Sequence, residues 1–447
     1  MKRYSLLFTA RLLGLIFFFA CFQVSLVSPL LLKAGDARAR NPLVTDPWVQ
    51  LAKLTASDGK PLDQLGWSVA ISGNTVVLGA PGTTVDGIDE KGAAYVFVQG
   101  PGGWANMTQT AKLSTTDGQA DDDGGWSVAI DGDTIVLGAA AAVPVYPRKA
   151  GAAYVFVKPA GGWTNMTQTA KLTPSDGAPA DDFANSVSVS GNTVVAGAPI
   201  ATVGSNKSQG AAYVFVEPVD GWADMTETAK LTASDGAANN NFGYSVSISG
   251  NTVVAGAPNA AVKPNHSRGA AYVFVEPVGG WANMTQTAKL TAAEPKAYNE
   301  LGRSVSIDGA TVVAGTPQAF GVRGAAYVFL QPEGGWSDVT ETAKLTASDG
   351  AAQDQLGYSV SISGDTVVGG APHATIGSNS AQGTAYVFVQ PGGGWADMTE
   401  TAKLTAADGA ANDVFGKSVG VSANTAVAGA PQFNNQGHKG RGAAYVF

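Results

Sequence analysis

A chain of 447 residues with 57 glycines and only 14% charged residues suits short strands and tight turns better than long charged helices. Acids outnumber bases 35 to 27, for a formal net charge of −8 and no basic stripe. That balance argues against a nucleic-acid partner, whose phosphates want clustered Lys and Arg. The single cysteine, Cys21, lies near the N-terminus, so the remainder has no disulfide, thiolate metal site or thiol nucleophile.

Residues 1–39 read as a signal peptide. Lys2, Arg3 and Arg11 precede an apolar run from Leu12 to Leu32, followed by the small-residue pattern Ala37-Arg38-Ala39. An uncleaved anchor would show the same features, although Gln23, Ser25 and Pro29 interrupt it. Once the segment is removed, no membrane insertion is expected. Residues 40–47 form a short linker, and 48–447 are one repeat array.

Trp48, Trp104, Trp163, Trp222, Trp281, Trp336 and Trp395 open seven segments that end in Ala-Lys-Leu, at spacings of 56, 59, 59, 59, 55 and 59 residues. Each unit is predicted to hold four strands. The first, as at Ser245–Ile248, alternates polar and apolar residues. Gly250-Asn251 then signals a two-residue hairpin with glycine at positive φ. The second strand starts at Thr252 and is stopped by Pro258, which has no N–H for a ladder. The third is the aromatic and β-branched Ala270–Val275, and the fourth is expected from Trp281 to Leu290.

Seven such units predict an all-β fold, a single seven-bladed β-propeller of four-stranded blades. The array starts on a lone fourth-strand segment, Trp48–Leu54, and finishes on a third strand, Gly442–Phe447. The N-terminal strand is therefore expected to complete the last blade and close the ring, leaving no open edge.

Phe-Gly stands at Phe242-Gly243 and Phe415-Gly416, and Gly-Ala-Pro begins at Gly79, Gly197, Gly256, Gly370 and Gly429. With these motifs in register, residues 48–447 resemble FG-GAP repeats of the short bacterial type, related to the propeller of integrin α-subunits. The resemblance implies a propeller whose loop face meets ligands. It does not imply calcium at the usual place, because the family's Asp-rich calcium loop sits in the first hairpin. Here that hairpin is only Ser72-Gly73-Asn74-Thr75 and its counterparts.

Acidic residues concentrate instead in the loops between blades: Asp58 and Asp63; Asp117, Asp121 and Asp123; Asp176 and Asp181; Asp349 and Asp354; Asp408 and Asp413. Carboxylates and carbonyls around a Gly turn are what calcium, a hard cation with about six to eight oxygen ligands, would take. Asx-type turns explain the same residues without an ion, and recurrence in every unit favours turns.

Propeller geometry puts these loops on one face with the variable second-to-third-strand loops. The latter supply the candidate ligand-face residues Arg148, Lys149, Lys207, His266, Arg268, Arg323, His373, His438 and Arg441. Lys91, Arg268, Arg323 and Arg441, each just before the third strand, could equally pair with neighbouring acids. The seven regularly placed tryptophans are expected to be packing wedges rather than a sugar platform. The largest departures from the repeat point to the sector between the second and fifth blades.

No catalytic motif stands out. The expectation is an exported, non-catalytic binding or adhesion module holding an extracellular protein or glycan. The alternatives are a polysaccharide hydrolase using carboxylates such as Asp121, Asp122, Asp123, Asp181 and Asp182, or a self-associating envelope protein.

Overall fold

A computed structural model describes residues 48–140, 150–261, 268–294, 299–433 and 440–447. The signal-peptide and linker expectations for residues 1–47 lie outside these. Among the described residues no helix is long and apolar enough to cross a membrane.

The strands form seven sheets arranged as the blades of a propeller, antiparallel except for one short parallel strand at the outer edge of six of them. The fourth blade shows the plan. Ser245–Ser249 turns through Gly250-Asn251 into Thr252–Ala257, which pairs with Ala270–Val275, which pairs with Ala288–Thr291. Gly250 has φ 55° while Asn251 stays out of that region, the pattern of a turn that needs glycine at its first corner. In the seventh blade Ala423 holds this corner at φ 49°.

The second and third strands are buried along almost their whole length, because each sheet is covered on both faces by its neighbours. The hydrophobic clusters accordingly straddle blades: Val155 and Leu172 of the second blade pack with Val194, Phe215 and Trp222 of the third. All seven repeat tryptophans are buried, at 9% exposure or less, as packing wedges should be.

The two glycine motifs meet across these interfaces. A Cβ on Gly256 would lie 1.9 Å from the carbonyl oxygen of Gly302 in the next blade. Gly79 and Gly125, Gly197 and Gly243, and Gly429 and Gly66 repeat the arrangement. Only glycine permits backbones to approach this closely. At one interface the partner is Ala184, at φ 65°.

The innermost strands are joined by side chains. Ser188 Oγ accepts from Ile248 N at 3.1 Å, Ser190 Oγ from Gly250 N at 3.2 Å and Ser247 Oγ from Ile307 N at 3.2 Å. The Ser-Val-Ser-Ile-Ser alternation thus has one apolar set for the core and one hydroxyl set that satisfies the neighbouring strand's free N–H groups.

The outer edge differs from expectation. Trp281–Leu290 is not one strand: Trp281 enters the core, Met284–Thr285 pairs in parallel with Leu231 and Thr232 of the preceding blade, and Ala288–Thr291 is the outer strand. Asn283 Oδ1 accepts from Lys230 N at 2.7 Å and Gln286 Oε1 from Ser234 N at 2.9 Å. This segment covers the exposed edge of the blade before it. Six of the seven sheets therefore count five strands. At the chain ends Ala52–Thr55 pairs antiparallel with Ala443–Val446, with Lys53 opposite Tyr445.

Candidate functional site

Six of the seven inter-blade loops begin with an aspartate, and in five of them it is held by both a tyrosine and a lysine. Asp176 Oδ1 accepts from the Tyr213 hydroxyl at 2.9 Å and Oδ2 from Lys230 Nζ at 2.5 Å. Asp235 with Tyr272 and Lys289, Asp349 with Tyr386 and Lys403, and Asp408 with Tyr445 and Lys53 repeat this. Asp117 takes the same two partners, Tyr154 and Lys171, and Asp58 is paired with Lys112. Burial would raise these carboxyls, but the lysine and tyrosine hydrogen bonds and the lysine charge together outweigh it and hold Asp58, Asp117, Asp176, Asp349 and Asp408 below the usual range. Burial, and the carboxylate beside it, pushes the Tyr213 hydroxyl strongly up. In the fifth blade Glu294 replaces the aspartate, and Lys344 pairs with Glu341 at 3.6 Å.

The second aspartate caps its own turn. Asp63 accepts from Lys60 N, Asp181 from Ala178 N, Asp354 from Ala351 N and Asp413 from Ala410 N, at 2.7–2.8 Å. In the second loop this role belongs to Asp122, through Gln119 N, leaving Asp121 and Asp123 one position to either side. Asp123 is 6% exposed at φ 54°. Burial, and then the charges of Glu90, Asp121 and Asp122, push its carboxyl up to about 7. Among the described residues no three His, Cys, Asp or Glu side chains gather as an ion cage. The contacts of these carboxylates are those of turns and ion pairs.

The cations before the third strands have varied surroundings. Lys91, 3% exposed, reaches Asp86 at 3.1 Å. Arg441 donates from Nε to the Gly59 carbonyl at 2.7 Å, a backbone rather than an acidic partner. Arg268 is buried with Nε unpartnered, and neither it nor Arg323 forms an ion pair among the described residues. Lys207, Arg323 and His373 are exposed on the loop face. Arg148, Lys149, His266 and His438 lie outside the described residues.

A ring that the sequence reading did not single out sits where the central channel opens on this face. The residue one or two positions before each first strand points into the mouth: Trp67, Trp126, Asn185, Tyr244, Arg303, Tyr358 and Lys417 line a cavity of about 270 Å³, together with the serine that follows each of them. Gly or Ala precedes and Ser follows every one of them. Their variation between near-constant flanks is the signal that could have found them. The asymmetry is not confined to the second to fifth blades, since the two cations stand on the fifth and seventh.

The ring alternates cation and π-face over part of its circumference. Arg303 Cζ lies 5.3 Å from the Tyr244 ring and 4.5 Å from the Tyr358 ring, and Lys417 Nζ lies 4.5 Å from Tyr358 and 4.4 Å from Trp67, all within cation–π range. Lys417 also donates to the Tyr358 hydroxyl at 2.5 Å. Trp67 and Trp126 follow, centroids 4.8 Å apart and tilted by 46°. Trp126 Nε1 donates to Asn185 Oδ1 at 3.2 Å, and Asn185 Nδ2 to the Tyr244 carbonyl at 2.8 Å. His373, from a variable loop, packs edge-on to Tyr358 at 6.3 Å. Partial desolvation and then the Lys417 and Arg303 charges lower the His373 imidazole below its ordinary value, although the side chain is exposed. Burial would raise the Tyr358 hydroxyl, but Lys417 and Arg303 outweigh it and bring it below its ordinary value.

This arrangement offers positive charge, indole and phenol faces and one amide in a half-enclosed space. A comparison with curated proteins finds no match. The FG-GAP repeat family matches residues 48–97, 107–156, 166–215, 225–274, 284–329, 339–388 and 398–447. Each match begins in one blade's edge-covering segment, or at Trp48, and ends in a third strand, so seven copies run the length of the propeller: the chain belongs to the FG-GAP repeat family.

Proposed function

We propose that the protein is an exported, non-catalytic binding module that holds an extracellular protein or glycan on the loop face, around the channel mouth. The observation that carries this reading is the mouth ring. A repeat that is otherwise strict places Trp, Asn, Tyr, Arg and Lys at one equivalent position, and all of them converge on one cavity. Residues kept for packing repeat from blade to blade, as the buried tryptophans do, whereas recognition needs departures from symmetry. Membership of the FG-GAP repeat family agrees with a binding role, and the N-terminal Lys2-to-Ala39 pattern supports export.

The test is binding of the purified protein to a mixed array of glycans and matrix proteins. The hits should be lost in a variant carrying Lys207→Glu, Arg323→Glu and His373→Ser. They should be kept in one carrying Asp133→Lys and Asp365→Lys on the opposite, hairpin face. An array without hits, or equal loss in both variants, would overturn the reading.

A further inference from the structure

We propose that the mouth cavity binds the carboxylate-bearing sugar of an acidic glycan, a uronate unit, with Lys417 and Arg303 pairing the carboxylate and the indole of Trp126 receiving the sugar's C–H face. The inference rests on the binding-module reading and names the chemistry of its ligand.

Charge, shape and an indole with no cation over it among the described residues carry it. Lys417 has a hydroxyl partner but, among the described residues, no carboxylate. Arg303 has Glu300 only at 3.6 Å, beyond ordinary hydrogen-bond length. Of the two cations lining the cavity, one therefore has a single carboxylate at 3.6 Å and the other none among the described residues, and an incoming carboxylate would complete the set. Trp67, Tyr244 and Tyr358 are already engaged by these cations. Trp126 is not: it leans on Trp67 at 46° and lines the same cavity. At about 270 Å³ the space lies just under the usual small-molecule range of about 300–1,000 Å³, which favours one sugar unit entering from a chain end over a whole oligosaccharide. An acidic peptide side chain would use the cationic half and leave Trp126 without a role.

The experiment is calorimetric titration of the protein with galacturonate, its neutral counterpart galactose, a galacturonate trimer, and a glutamate-rich peptide. Galacturonate and its trimer should both bind, with galactose at least about 10-fold weaker. Lys417→Gln should weaken the acids by about 10-fold, the loss expected for one charge-assisted contact, while Lys417→Arg retains most of the affinity. Trp126→Ala should weaken galacturonate without weakening the peptide. Trimer binding without monomer binding still supports the proposal, with the terminal unit of a chain rather than the free sugar as the ligand. It is overturned if galactose binds as well as galacturonate, if the peptide binds more tightly than either acid sugar, or if folded Lys417→Gln and Arg303→Gln both bind unchanged. Absence of acid-sugar binding alongside array hits that depend on Lys207, Arg323 and His373 would sink the uronate assignment alone and leave the binding module standing.

Discussion

Asp123 gives the sharpest stability test. It is 6% exposed, sits among Glu90, Asp121 and Asp122, and has its carboxyl pushed up to about 7 from 3.8. The folded-state value is the raised one, so the favourable contribution is complete below about 3.8 and is lost as pH rises through about 7. Above that, the ionised carboxylate opposes folding by the full gap. Three pKa units correspond to a ceiling of about 4 kcal/mol, and solvent screening of the partly exposed neighbours reduces this to roughly 2–3 kcal/mol. Asparagine removes the charge and tolerates the positive φ. Asn241 already occupies the same repeat position two blades on, at φ 55°. Asp123→Asn should therefore stabilise the protein by roughly 2–3 kcal/mol at pH 8.5 and by about 1 kcal/mol or less at pH 4.5. Urea unfolding at both pH values reads the difference directly. An equal gain at both, or a loss at pH 8.5, would refute the electrostatic reasoning.

Further outcomes follow from the glycine contacts and the ion pairs. Gly256→Ala forces a Cβ to 1.9 Å from a backbone oxygen that cannot rotate away, and should lower stability by about 3 kcal/mol in the same urea assay. Ala423→Gly relieves an alanine at φ 49° in a hairpin corner where the other blades use glycine, with an expected gain of about 1 kcal/mol; a loss would show the corner to be unstrained. Asp176→Asn breaks the Lys230 and Tyr213 contacts at a carboxylate 50% exposed, so it should cost no more than about 1 kcal/mol at pH 7. Because the folded Asp176 carboxyl is depressed, that cost is present above the unfolded value near 4 and disappears as pH falls through the folded one.

Much of the fold was legible because each part of the unit carries its own physical signature. Alternation marks Ser245–Ser249, Gly250 marks the hairpin, and the regular spacing of the tryptophans marks the blade. The outer segment was misread because Met284-Thr285 and Ala288–Thr291 are both short, β-prone and adjacent; only pairing across blades separates them. The aspartates were visible, but their partners were not. Asp176 meets Tyr213 and Lys230, far away in sequence, and the sheet register alone brings them together. The mouth ring was hidden for the opposite reason. Trp67 and Lys417 look unrelated until the loop before each first strand is superposed, and Lys417 meets Trp67 only because the ring closes.

The central claim is that recognition belongs to the loop face around the channel mouth, and one comparison tests it most directly: array binding of the wild-type protein beside the Lys207→Glu, Arg323→Glu, His373→Ser variant and the hairpin-face Asp133→Lys, Asp365→Lys variant. Loss of binding in the first variant with retention in the second, both melting like the wild type, is the expected result. Binding that survives the first and fails in the second would contradict it, and would move recognition to the opposite face of the propeller.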